Sequence, residues 1–232
     1  MLISYSHKFI FFHVPKAGGT SVREALKPYA RKPERFKIQR PPKLTNGKKN
    51  PVYDMWEAAL LHAKAIDVKK ELPEHVYRDF YKFAFVRNPW DWHVSMRNFI
   101  LKETTHIKHE IVKSMTFEEY LEWVLKTKNP FPKGAVKFQK DMVMDKKGNI
   151  IVDFIGRYEN LDADFQHVCQ ILNIEAKLPH LNKSAHGDYR AYYNRKSAAM
   201  VEDHFKEDIQ LFGYSFNRQK AKGNMPLHVY FS

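Results

Sequence analysis

Lys16 heads a run of small and hydroxyl-bearing residues, Ala17, Gly18, Gly19, Thr20 and Ser21, and Arg87 is followed eight residues later by Ser95. Both arrangements suit the binding of phosphate. In the first, the glycines let the backbone approach an anion closely, so that several amide N–H groups converge on it beside the lysine ammonium. A helix starting near Thr20 adds its unpaired N–H groups and the positive end of its dipole. In the second, eight residues are about two helical turns, so a guanidinium and a hydroxyl can meet on one phosphate. Plainer uses exist for each: a lysine-glycine turn also serves to start a helix, Arg87 has Asp91 within reach for a strand-end salt bridge, and Ser95 is equally at home facing solvent.

The elements that must position these groups are visible as two strand-turn-helix units. Residues 9–26, FIFFHVPKAGGTSVREAL, run from an apolar strand through the lysine-glycine loop into an amphipathic helix. Residues 81–99, YKFAFVRNPWDWHVSMRNF, repeat the plan, with an apolar run at 83–86 and Pro89 suited to the first turn of a helix. Arg87 then stands at the carboxyl end of a strand, the edge at which open parallel sheets bind ligands. A third strand is expected from Ile150 to Ile155, with a helix starting at Asn160 or Asp162. Ser114 or Thr116 can cap a helix carrying Phe117, Tyr120, Leu121, Val124 and Leu125 on one face. A hairpin is expected around Lys147, Gly148 and Asn149, and a closing helix over 196–212 with Met200, Val201, Phe205, Ile209 and Phe212 at core spacing.

The loop differs from the usual nucleotide-triphosphate loop, G-x-x-x-x-G-K-[ST], in placing its lysine before the glycines. That order resembles the 5′-phosphosulfate loop of sulfotransferases that use 3′-phosphoadenosine 5′-phosphosulfate (PAPS), and H-V-P-K-A-G-G-T-S is similar to the wording of the carbohydrate-type branch, which has Golgi and bacterial members. V-R-N-P-W-D with Ser95 resembles the 3′-phosphate motif of the same family. Many relatives carry arginine after W-D, where this chain has Trp92. G-R-Y-E-N-L at 156–161 and L-P-H-L-N-K-S at 178–184 resemble two further elements of that branch.

The resemblance implies a three-layer α/β sandwich with a short central parallel sheet, helices on both faces and a P-loop-like donor site, in a single domain over 1–232. It implies PAPS contacts from Lys16, Ala17, Gly18, Gly19, Thr20, Ser21, Arg87 and Ser95, an adenine contact from Tyr158, and closure over the phosphates by Lys183 and Ser184, with Arg190 as a further candidate. Tyr158 is open to the plainer reading of a half-buried strand-end tyrosine, and the 178–193 segment to that of a solvated basic loop. Sulfuryl transfer needs a cation where negative charge grows on the departing phosphate, a role that suits Lys16, and a base for the acceptor hydroxyl. Among 12 histidines, His62 precedes a helix that resembles the family's H-A-T-A-K-E-I and is the first candidate, with capping or packing at a helix end as its alternative. His13, Glu24 and Asp91 are the other candidates. The segment 30–56, basic and proline-interrupted, is placed by position on the acceptor side.

Composition sets the remaining bounds. A formal charge of +13 over 232 residues calls for an anionic partner. No zinc-finger spacing, RNA-recognition aromatic motif or extended basic helix is present, which ranks nucleic acid below a phosphorylated small molecule or an acidic polymer. With 44% hydrophobic residues and no Pro/Gly/Ser-rich linker the chain reads as one folded unit. Cys169 is the only cysteine, which excludes an internal disulfide and a cysteine-rich zinc site. His106 and His109 lack the H-E-x-x-H pattern, so no metal is expected. No apolar run reaches membrane-spanning length and the first ten residues lead into a strand, and the resemblance to bacterial members then implies a cytoplasmic, bacterial-type enzyme, its oligomeric state open. The resemblance implies sulfation of a hydroxyl on a carbohydrate, with anionic carbohydrates among the candidate acceptors. The competing readings are an ATP- or GTP-dependent kinase with an atypical phosphate loop, and a non-catalytic binder of nucleotides or sulfated glycans.

Overall fold

The computed structural model describes residues 1–30, 61–131, 136–179 and 187–217. All of the 30–56 segment except Ala30, and all of the 217–232 tail except Asn217, lie outside them. The described residues build an open four-stranded sheet in the order β1 (Leu2–Ser4), β2 (Phe9–Phe12), β3 (Tyr81–Val86), β4 (Phe154–Arg157). β2, β3 and β4 run parallel, with Phe12 opposite Ala84 and Val86 opposite Arg157. The expected parallel sheet therefore gains an edge strand: β1 pairs antiparallel with β2, Leu2 opposite Phe11, after a tight turn through a left-handed Lys8.

Four consecutive side chains of β2, Phe9 to Phe12, are fully buried. Since neighbours on a strand point to opposite faces, both faces of the sheet are covered. One apolar cluster joins the strands to α1 (Gly19–Leu26), α2 (Ala65–Glu71), α3 (Glu74–Asp79) and α7 (Leu161–Leu172). A second gathers Trp90, Trp92, Met96 and Ile100 of α4 (Pro89–Lys102) with residues of α5 (His109–Lys113), α6 (Phe117–Lys126), α8 (Arg195–His204) and α9 (Lys206–Phe212). α6 starts as its sequence suggests, with Thr116 and Glu119 forming a reciprocal capping box. Among the described residues no helix is long and apolar enough to cross a membrane.

Two expected elements differ in the structure. The third strand starts at Phe154 instead of Ile150: Ile150 bridges Met144 across the Gly148 turn, Ile151 donates to the Val143 carbonyl, and the Lys82 N–H of β3 is taken by the Asp153 carboxylate at 2.7 Å in place of a backbone carbonyl. The closing helix is split at Phe205, whose backbone (φ −102, ψ 21) leaves helical geometry. The break lets Phe205 fill the second cluster while Phe212 fills the first, and it carries Asp208 to the turn Gln139–Met142. There Asp208 accepts the N–H groups of Gln139 and Lys140 at 2.8 and 2.9 Å.

Burial pushes the Asp208 carboxyl up to about 7, against the pull of those two N–H groups. The folded chain thus holds a proton that the unfolded chain releases near pH ~3.9, so this residue's contribution to stability is full at low pH and is lost as pH rises through 7. Asp208→Asn, which cannot ionise, is expected to gain in Tm relative to the wild type as pH rises from about 5 to about 8. A Tm difference that stays constant over that range would show that Asp208 ionises normally.

Candidate functional site

The parallel register brings three chain segments to one edge: the 13–18 loop after β2, Arg87 after β3 and Tyr158 after β4. In the loop, Lys16 (φ 61) and Gly18 (φ 78) are left-handed on either side of Ala17, an alternation that turns successive N–H groups to one side. α1 follows with no side chain capping its start and no acid in its first turn. Its N–H groups and dipole therefore add to the cationic character of the loop. The two glycines are required for different reasons. Gly18 takes a backbone conformation that other residues adopt only with strain, whereas a Cβ on Gly19 would stand 2.0 Å from the His13 ring.

Lys16 sits with its ammonium 4.3 Å from the centre of the Phe99 ring on α4. Burial and then the neighbouring Arg87 lower its pKa to about 8; Glu103 pulls it back up and Lys102 adds to the lowering. Arg87 is 3% exposed. Its Nε donates to Asp91 at 2.7 Å, its Nη1 to the Lys16 carbonyl at 3.2 Å, and its guanidinium lies 4.0 Å from the centre of the Tyr158 ring. The salt bridge to Asp91 anticipated as an alternative is thus present, and the same guanidinium also reaches the lysine loop.

Its backbone is held as firmly. Gln139 accepts the Arg87 N–H at 2.9 Å and donates to its carbonyl at 2.7 Å. The next N–H, of Asn88, goes to the Glu159 carboxylate at 2.7 Å. Burial raises the pKa of that carboxyl, while Asn88 and the hydroxyl of Tyr214 favour its charged form. Trp92, the departure from the resembled pattern, donates from its indole to the Pro15 carbonyl at 2.8 Å and stacks edge-on with Phe131. It ties α4 directly to the residue before Lys16.

Of the residues expected in the site, Ala17, Gly18 and Gly19 form the loop, Thr20 is exposed on α1, Ser21 is buried one residue further, and Ser95 is buried on α4. Lys183 and Ser184 lie outside the described residues, and Arg190 pairs with Asp188. His62 faces the end of β2, its Nδ1 2.9 Å from the His13 carbonyl and its ring 4.8 Å from that of His13. A carbonyl only accepts, so Nδ1 carries the hydrogen and Nε2 keeps its lone pair. Burial lowers the His62 pKa to about 4, against the hydrogen bond to His13, which raises it. His13 is more deeply buried against Gly19, Asp91 is committed to Arg87, and Glu24 pairs with Lys27 on α1.

Gln139, Glu159 and Trp92 were not singled out from sequence for these contacts. Only Trp92 and Glu159 stood inside motifs; Gln139 is 52 residues from Arg87 and carries no local signal.

The chain matches the model of a family described as "Sulfotransferase family" over residues 1–215. No curated protein matches it. Among solved structures it is similar to the crystal structure of mouse sulfotransferase SULT7A1 complexed with PAP, at 17% identity and a TM-score of 0.49, with 90% of this chain and 86% of that one covered.

The lowered pKa of Lys16 has a direct readout. Acylation of Lys16 by an amine-directed reagent, followed peptide by peptide, is expected to reach half its maximum near pH 8, where exposed lysines titrate at about 10.4. Titration of Lys16 together with the bulk lysines would contradict the burial of its ammonium beside Arg87.

Proposed function

The chain belongs to the sulfotransferase family, and from that premise we propose that it transfers a sulfuryl group from PAPS to a hydroxyl of a carbohydrate acceptor. The observation that carries the reading is the meeting of two cations from separate motifs: Arg87, buried at the end of β3, donates to the carbonyl of Lys16 in the loop after β2. A donor with phosphate on both ends of a nucleoside suits two such groups held at one sheet edge. The neighbouring N–H groups of the loop and of α1 are backbone donors of the kind that bind phosphate without a metal.

In this reading the N–H groups of residues 16–21 and the Lys16 ammonium hold the 5′-phosphosulfate, and Arg87 with Ser95 holds the 3′-phosphate. Tyr158 carries Arg87 over one face, and adenine lies against the remainder of the ring. PAPS supplies a sulfuryl group joined through oxygen to phosphate, so transfer breaks that S–O bond and forms another to the acceptor oxygen. Lys16 offsets the charge left on the phosphate, and Nε2 of His62 takes the acceptor's proton. The tautomer set by the His13 carbonyl supports this role, since it leaves the free lone pair on the nitrogen opposite that bond. The Glu24 and Asp91 carboxylates are engaged in ion pairs, which makes them weaker candidates for the base.

Transfer of labelled sulfuryl from PAPS to a panel of carbohydrate hydroxyls tests the proposal. Lys16→Ala is expected to lower turnover on the order of 100- to 1000-fold. His62→Ala is expected to lower it by about 100-fold or more while leaving affinity for adenosine 3′,5′-bisphosphate unchanged. Full turnover in Lys16→Ala would remove the lysine from the leaving-group role, and transfer to no carbohydrate would overturn the acceptor class.

A further inference from the structure

Where β3 ends, its last residue Val86 still pairs with Arg157 of β4, but Arg87 and Asn88 have passed beyond the ladder. Their backbone groups need partners, because an unpaired buried amide is costly. Arg87 finds both of its partners in one side chain. The Gln139 carboxamide accepts its N–H at 2.9 Å and donates to its carbonyl at 2.7 Å, so a side chain supplies the two bonds that a neighbouring strand would give.

Gln139 is itself immobilised. It is 2% exposed, it opens the short turn Gln139–Met142, and its own N–H and that of Lys140 are taken by the two oxygens of Asp208. The clamp is thus anchored through Asp208 to α9, while Met142 of the same turn packs in the first apolar cluster and Phe138, just before it, packs against the second. On the other side, the Arg87 guanidinium has contacts to Asp91, Tyr158 and the Lys16 carbonyl. Those contacts aim the head of the side chain. The backbone clamp sets where its stem begins.

We propose that Gln139 is a positioning residue for the donor's 3′-phosphate: by fixing both backbone groups of Arg87 it holds the guanidinium where that phosphate binds. The proposal rests on the reading of Arg87 as the 3′-phosphate ligand. It predicts that loss of the clamp acts on one phosphate only. A general loss of packing would instead weaken binding of any nucleotide.

Calorimetric titration of the full chain with adenosine 3′,5′-bisphosphate and with 5′-AMP, which lacks the 3′-phosphate, separates the two. Gln139→Leu removes both bonds at similar volume, and Gln139→Asn keeps the amide but is one methylene too short to make both; thermal melts establish that each variant is folded. Either variant is expected to weaken bisphosphate binding on the order of 10-fold and 5′-AMP binding by less than about 2-fold. In an Arg87→Ala background the same change should cost nothing further. Equal weakening for both nucleotides, or a loss that simply adds to that of Arg87→Ala, would overturn the proposal. A wild-type chain that binds the bisphosphate no better than 5′-AMP would remove the Arg87 reading itself, and the positioning role with it. Equal weakening in the Gln139 variants beside a wild type that prefers the bisphosphate would overturn the positioning role and leave the Arg87 reading standing.

Discussion

A guanidinium buried to 3% exposure constrains everything around it. Taking such a charge out of water is tolerable only when carboxylate, carbonyl and aromatic partners surround it in good geometry. Arg87 has one of each in Asp91, the Lys16 carbonyl and Tyr158, and they come from three different strand-end segments. Those partners can meet it only if β2, β3 and β4 lie side by side, parallel and in register, which is the sheet observed. The Trp92 indole on Pro15 and the Glu159 carboxylate on Asn88 add two further ties between the same segments.

The second consequence is electrostatic. Lys16 lies close enough to Arg87 for the two cations to disfavour each other, and burial sharpens the effect. Among the described residues Asp91 pairs with Arg87, Glu159 also interacts with it and Glu103 with Lys16, while the loop N–H groups and the start of α1 add positive character at this edge. Such an arrangement favours an anion with charge at two points. It also accounts for a local concentration within the net +13 of the chain.

Much of this was legible in the sequence because each motif is local: a strand, a turn and a helix start within about 20 residues can be read from apolar runs, glycines and caps. That is why the loop at 13–21, Arg87 at a strand end and the Thr116 cap appear where expected. The salt-bridge and ligand readings of Arg87 were posed as alternatives, yet one guanidinium has donors enough to bind Asp91 and to turn toward the lysine loop. What escaped the sequence depends on distant partners. Gln139 has no motif around it, and just before β4 the Asp153 carboxylate takes the Lys82 N–H across 71 positions, where a backbone carbonyl would have continued the ladder. The break at Phe205 arises because Phe205 and Phe212 serve different apolar clusters, which periodicity along one helix cannot reveal.

The central claim is that one sheet edge holds a nucleotide by two phosphates, through the lysine loop at one end and Arg87 at the other. A crystal structure with adenosine 3′,5′-bisphosphate tests it most directly. The account predicts the 5′-phosphate against the N–H groups of residues 16–21 and the 3′-phosphate within hydrogen-bond distance of Arg87 and Ser95. A bisphosphate bound elsewhere, or bound at this edge with its 3′-phosphate turned away from Arg87 into solvent, would contradict it.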